Sequence, residues 1–309
     1  MQILHKPSSS IAPGVGTIAL DTHGSDAVFS ELSYAYPLKL LSPRVYQPKV
    51  AVVYVVSYGG GLVGGDQVEV CAEVKSDAVL VVLTQGSTKV FKTRMGRTPI
   101  GRTTDEPSTD HRITRQDMRI SVPHNGALFL LPDPVTCFRS ANYHQFQTIH
   151  LSSSASLVLL DWYTSGRKAL GEEWVFERYY SLNEVFVDGR RVARDATLLE
   201  DKPLVPTDLT QRTLAEKMAP YACYATVLFY GPLTALTREQ LWAAYQATTV
   251  FKQATRPNLL WSFSPLCEGK GAVVRVAALE SEDVRNWLSV ALKGLEGVIG
   301  ADIYKKALG

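Results

Sequence analysis

Residues 50–74 read Val-Ala-Val-Val-Tyr-Val-Val-Ser-Tyr-Gly-Gly-Gly-Leu-Val-Gly-Gly-Asp-Gln-Val-Glu-Val-Cys-Ala-Glu-Val. Two kinds of strand signal flank a glycine-rich turn. Val50 to Val56 is a continuous apolar run, too short for a helix, as expected of a strand buried on both faces. From Gln67 the pattern alternates: Val68, Val70, Ala72 and Val74 fall on one face, Gln67, Glu69, Cys71 and Glu73 on the other. That is a half-buried strand. Strands covered on both faces require stacked sheets.

Further apolar runs at Val79 to Leu83, Ala127 to Leu131 and Leu157 to Leu160 are likewise bounded by turn residues, and read as buried strands. Glu184 to Val187 and Arg190 to Ala193 flank Asp188-Gly189, the signature of a hairpin with a type I′ turn. Ala272 to Ala278 reads as another strand. Helical signals come late. Thr237 with Gln240 makes a capping box, followed by Leu241, Ala244, Tyr245, Thr248 and Phe251 at helical spacing and closed by Pro257. A second helix starts at Ser281, with Glu282 and Asp283 in its first turn. Its stripe is Val284, Trp287, Leu288, Ala291, Leu292 and Leu295, before Gly297. This stripe serves either the core or a partner surface. The pattern predicts a mostly β chain of stacked or wrapped sheets in one large unit, with a few helices, two of them near the C-terminus. No internal repeat is visible, and Arg94 to Asp117, polar and rich in Thr, Pro and Gly, reads as a mobile surface loop.

With 309 residues, 46% hydrophobic and 20% charged, the chain is long enough for a sizeable core and is not disordered. Lys and Arg number 32 against 30 acidic residues, a net charge of +2, which supplies no field for nucleic acid or an anionic membrane. Cys71, Cys137, Cys223 and Cys267 lie far apart without a Cys-x-x-Cys pair, so they read as reduced thiols. Neither a signal core nor a membrane-spanning run is present; the expectation is a soluble, intracellular protein.

Gly59-Gly60-Gly61-Leu62-Val63-Gly64 matches the dinucleotide fingerprint literally, but an alternating strand follows where a helix N-terminus must meet the pyrophosphate. Gly86-Ser87-Thr88-Lys89 lacks the Gly-Lys order of a phosphate loop. The five glycines of Gly59 to Gly65 serve either a tight buried connection or a backbone surface that another chain or a polar channel approaches, with Asp66 at its end. His5, His23, His111, His124, His144 and His150 form no metal-binding pattern, and no nucleophile elbow is present. Context sets three carboxylates apart: Asp133 between two prolines, Asp161 at the end of a buried run, and Glu172 after Gly171. Each needs an arginine partner, for which Arg167 and Arg178 are candidates, or an internal water path.

Taken together, Tyr36-Pro37-Leu38, Gly60 to Asp66, Leu83-Thr84-Gln85-Gly86-Ser87-Thr88-Lys89-Val90-Phe91, Leu131-Pro132-Asp133-Pro134 with Phe138, and Gly166-Arg167 with Gly171-Glu172 resemble the urease accessory protein UreD family, called UreH in some bacteria. The resemblance runs from about Thr17 to the last helix. Departures are Phe91 where the family commonly has Tyr, the additional Gly59, and the long Arg94 to Asp117 segment. The resemblance implies a single UreD-like domain over residues 1–309 and a non-catalytic, cytoplasmic scaffold. Such a scaffold bridges apo-urease and a UreF and UreG assembly, UreG being its GTPase. Nickel would pass in transit through the interior, with no tightly bound cofactor. Asp66, Asp161, Glu172 and Asp133 are then candidates for the nickel path, and Gly60, Gly61, Gly64 and Gly65 for the partner or structural segment. Oxygen ligands suit a cation that must be released again. The competing readings are a β-rich hydrolase using Asp133, Asp161 or Glu172 as acid and base across an open cleft, and a docking module with those carboxylates tied up by arginines.

With no phosphate loop, the purified chain is expected to turn over neither GTP nor ATP. Phosphate release above a buffer blank, retained through a second purification step, would refute this reading.

Overall fold

A computed structural model describes residues 11–92, 113–201, 212–248 and 257–309. The chain opens with an antiparallel pair, β1 (Val15–His23) and β2 (Asp26–Tyr34), and a short β3 (Leu38–Leu41). It then alternates between two sheets. β4 (Val50–Ser57) precedes β5 (Gln67–Val74); β6 (Val79–Thr84) and β7 (Thr88–Val90) precede β8 (Thr114–Val122). β9 (Ala127–Leu130) and β10 (Val135–Cys137) precede β11 (Asn142–Leu151). β12 (Ser156–Thr164) and the small pair β13 (Gly166–Arg167) and β14 (Glu172–Glu173) precede β15 (Arg178–Val187), which turns back into β16 (Arg190–Glu200).

β4, β6, β9 and β12 are parallel neighbours in one sheet, and β5, β8, β11 and β15 are parallel neighbours in the other. Each turn of this coil therefore adds one strand to each sheet. Three four-residue returns close the far end, with Ala78, Gly126 and Ala155 donating N–H bonds to the Lys75, Pro123 and Ser152 carbonyls. They stack on one another: the Ala127 N–H reaches the Ala78 carbonyl and the Ser156 N–H the Gly126 carbonyl, both at 2.9 Å. The fold thus holds a structural repeat that the sequence conceals, because its periods differ in length and their inner residues differ in chemistry.

Beyond the coil lie α1 (Leu214–Met218), β17 (Cys223–Tyr230), α2 (Ala235–Gln246), β18 (Leu259–Leu266), β19 (Gly271–Ala278), α3 (Ser281–Ala291), α4 (Glu296–Ile299) and α5 (Ala301–Leu308). β17, β19 and β18 extend the β12 edge antiparallel. The helices cover the outer face of this larger sheet, packing Val284, Leu288, Leu292, Leu295 and Ile299 against Val158, Leu160, Val227 and Val274. A separate core lies between the two sheets. The doubly covered sheet explains the unbroken apolar runs of β6, β9 and β12; among the described residues the smaller sheet is covered on one face only, hence the alternation of β5.

The stripe of α3 is thus core. The hairpin forms as expected, with positive φ at both Asp188 and Gly189. Other expectations change. Thr237 does not cap α2, which starts at Ala235; it is buried inside the helix, against Gly294. Along the expected α2 stripe Leu241 is buried and Tyr245 half-buried, while Ala244 and Thr248 are exposed, and Phe251 falls outside the described residues. Of the expected loop, residues 94–112 also fall outside them, while Thr114 to Asp117 already belong to β8. The terminal α5 had no distinct sequence signal.

Leu288→Ala is expected to lower unfolding free energy by about 2–5 kcal/mol through lost burial and the cavity left behind. The exposed Val290→Ala should stay within about 0.5 kcal/mol. Denaturant titration separates the two, and equal effects would remove the core assignment.

Candidate functional site: a polar seam between the sheets

The coil brings the C-terminal ends of β4, β6, β9 and β12 and the N-terminal ends of β5, β8, β11 and β15 to one rim. The glycine segment, Gly86, Pro132-Asp133-Pro134 and Gly166-Arg167 all lie there. Below that rim the inner face of the smaller sheet is polar. Strand register aligns Thr114, Tyr143 and Tyr179 in a first row, Gln116, Gln145 and Ser181 in a second, and Met118, Gln147 and Asn183 in a third. Ile120, Ile149 and Val185 then return to an apolar core.

Asp161 faces these rows from β12. Its Oδ2 accepts Ser181 Oγ–H at 2.6 Å and Asn183 Nδ2–H at 2.7 Å, and its Oδ1 accepts Gln145 Nε2–H at 3.1 Å and the Tyr179 hydroxyl at 3.5 Å. None of these four is an arginine. Burial pushes the Asp161 carboxyl above its ordinary value, opposed by the Ser181, Asn183 and Gln145 hydrogen bonds. Acceptors also outnumber donors nearby: Gln147 Oε1 and Asn183 Oδ1 are buried without a hydrogen-bond partner, although their residues are only 2% and 1% exposed. Such oxygens call for water or a cation.

A narrow cavity of about 20 Å³ runs beside Asp161, lined also by Asp133, Thr84, Gln116, Gln145 and Gln147. It has room for roughly one water, and a sugar does not fit. Two of the expected acidic residues, Asp133 and Asp161, therefore line one cavity. Asp133 is held at 2.5 Å by Arg285 and accepts the Gly86 N–H through its other oxygen.

The remaining two lie elsewhere on the rim. Asp66 heads β5, where its carboxylate accepts the Val63 N–H at 2.8 Å; the amide of the residue before it, Gly65, donates to Thr114 Oγ1. Glu172 makes a two-pronged ion pair with Arg167, both contacts 2.8 Å, which holds its carboxyl below the usual range. It lines an open pocket of about 370 Å³ with Gly59, Phe91, Phe138 and Arg139. Arg178 pairs with Glu200, and none of the flagged carboxylates. Gly61 is crowded: a Cβ there would sit 2.5 Å from the Lys89 carbonyl and 2.6 Å from the Phe91 ring. Gly60 and Gly65 have positive φ, and Gly60 has open space around it. Leu62 pairs with Val90 in an isolated parallel bridge, so the two most distinctive sequence segments touch.

Sequence reasoning missed Gln145, Gln147, Ser181, Asn183, Arg275 and Arg285. The available signal was the alternation of β11, where Tyr143, Gln145, Gln147, Ile149 and Leu151 share a face. Polar residues on both faces hid which one is inner. Among the described residues no three His, Cys, Asp or Glu side chains form a metal-holding group, and no helix is long and apolar enough to cross a membrane.

Comparison with known proteins gives a consistent result. A profile of the UreD urease accessory protein matches residues 13–305. The urease accessory protein 4 of Cryptococcus neoformans var. grubii is 36% identical, covering 99% of this chain and 98% of its own. Urease accessory protein UreD of Sorangium cellulosum is 36% identical over 95% of this chain and 84% of its own. Urease accessory protein D of Arabidopsis thaliana is 32% identical over 94% and 99%.

The folded chain keeps the Asp161 proton to higher pH than the unfolded chain. The stability contribution of Asp161 is therefore fullest below the ordinary Asp value and declines as pH rises toward the folded value. Asp161→Asn escapes that decline. Its melting temperature relative to the native chain is expected to rise from about pH 4 to about pH 7; a constant or falling difference would contradict the burial argument.

Proposed function

The chain belongs to the UreD urease accessory protein family, and from this premise we propose that it bridges apo-urease and a UreF and UreG assembly in the cytoplasm and passes nickel through the seam between its sheets. Participation in urease maturation follows from the family; the route rests on Asp161. A carboxylate buried without an arginine, beside two acceptor oxygens lacking donors, suits a positively charged traveller better than a structural ion pair. Apart from the Met118 thioether, the ligand atoms lining the cavity are carboxylate, amide and hydroxyl oxygens, which hold divalent nickel more loosely than imidazole or thiolate sets and so permit release. Two of the four thiols are poor competitors: Cys137 and Cys223 are buried, and burial pushes the Cys223 thiol up to about 12.

The size of the Asp161 cavity and the Arg167 pair on Glu172 favour the accessory role over the hydrolase reading. Asp66 and Glu172 then serve the rim, which presents the glycine segment and the open Arg139 pocket to a partner chain.

Asp161→Asn and Gln147→Leu are each expected to leave the accessory complex assembled in a pull-down while lowering nickel incorporation into urease by roughly tenfold, as changes around metal ligands commonly do. Metal analysis and urease activity of the activated enzyme provide the readouts. Normal activation by both variants would overturn the route, and failed assembly would favour a structural role for Asp161.

A further inference from the structure

Both flanks of the seam end in a carboxylate that an arginine covers from outside. On one flank Arg285, from α3, reaches Asp133 at 2.5 Å and lies over the Trp162 ring, 5.4 Å from its centroid. Trp162 lines the same cavity as Asp133 and is anchored by its Nε1–H to the Pro132 carbonyl at 2.7 Å. On the other flank Arg275 reaches Asp195 at 2.6 Å. Register places this second pair on the seam: Asp161 is opposite Thr226, and Thr226 opposite Arg275, while across the gap Asn183 is opposite Asp195. Outside it opens a groove of about 650 Å³ lined by Asp195, Thr226, Ser262 and Arg275.

In each pair the carboxylate is the more enclosed member. Asp133 and Asp195 side chains are 21% and 14% exposed, those of Arg285 and Arg275 28% and 54%. A guanidinium on a flexible stem can move into solvent and stay hydrated, whereas the carboxylate it leaves stays walled in and demands another cation. Between the two pairs lie the donorless Gln147 and Asn183 oxygens, which make the interior attractive to that cation once it has entered.

We propose that Arg275 and Arg285 are place-holding cations at the two mouths of the seam, each displaced when a divalent cation reaches Asp195 or Asp133. The assignment rests on the conduit reading given above and adds its control: an empty seam stays closed at both ends, and only a cation able to compete with a guanidinium opens it. A water-sized cavity has no space for a hydrated divalent ion, so the incoming ion exchanges water for the carboxylate as the arginine departs.

The test uses the full-length chain and Ni²⁺ alone, measured by equilibrium dialysis. Removing a competitor that is part of the protein strengthens binding, so Arg275→Met and Arg285→Met are each expected to tighten nickel affinity by roughly fivefold or more. The charge-keeping Arg275→Lys and Arg285→Lys should remain near the native affinity. Adding Asp195→Asn to Arg275→Met, or Asp133→Asn to Arg285→Met, should abolish the gain. Native-like affinity in both Met variants, or equal tightening in the Lys variants, would overturn the proposal. Should a Met variant melt below the assay temperature, Arg→Gln at that site replaces it under the same criteria. Urease activation by Asp161→Asn in parallel separates the two ideas. Impaired activation with unchanged Met variants sinks the place-holders and leaves the conduit, while normal activation by Asp161→Asn sinks the conduit itself.

Discussion

A carboxylate placed between two β-sheets loses its hydration, at a cost of several kcal/mol unless hydrogen bonds replace the water. Asp161 meets that condition with four donors, all from the opposite sheet: Gln145, Tyr179, Ser181 and Asn183. The requirement reaches far into the structure. It keeps β11 and β15 in one register relative to β12, since a one-residue slip would turn the glutamines outward and bring His144, Phe146 and Tyr180 in. It also makes the rim half of the inter-sheet core polar, leaving the far half of Ile120, Ile149 and Val185 to supply apolar cohesion.

The winding of the chain makes such a seam possible. Because each coil turn donates one strand to each sheet, equivalent positions of successive turns stack into rows, and polar residues on β8, β11 and β15 become neighbours although roughly thirty residues separate them. The same geometry gathers every rim connection at one end. Glycines, prolines and aromatic residues from four distant segments meet there, and a partner would encounter them as one surface. Helices on the outer face of the larger sheet complete the arrangement. They bury the second side of β6, β9 and β12, and α3 brings Arg285 within reach of Asp133.

Legibility varied with the kind of interaction. Buried strands were readable because covering both faces demands continuous apolar runs, and the hairpin because Asp188-Gly189 has few other uses. Carboxylates were harder. Asp133, Asp161 and Glu172 all carried the same signal, a carboxylate in a secluded context, yet Glu172 has an arginine five residues away, Asp133 one from the distant α3, and Asp161 none. Sequence distance does not distinguish these cases. Thr237 misled for a related reason: a threonine three residues before a glutamine is a good cap only at a helix start, and here the chain is already helical from the turn at Pro232–Thr234, so Thr237 lies inside α2.

By itself the sequence determined what is local and repeated: strand against helix, one covered face against two, the turn at Asp188-Gly189, and the family, whose motifs survive as short contiguous strings. Only the tertiary structure decided which polar residues share an interior. The coil, the rows of Gln116, Gln145 and Ser181, the position of Arg275 opposite Asp195, and the crowding of Gly61 against Lys89 all depend on strands distant in sequence. Their pairing is set by summed burial and register over whole sheets, and no single segment carries that information.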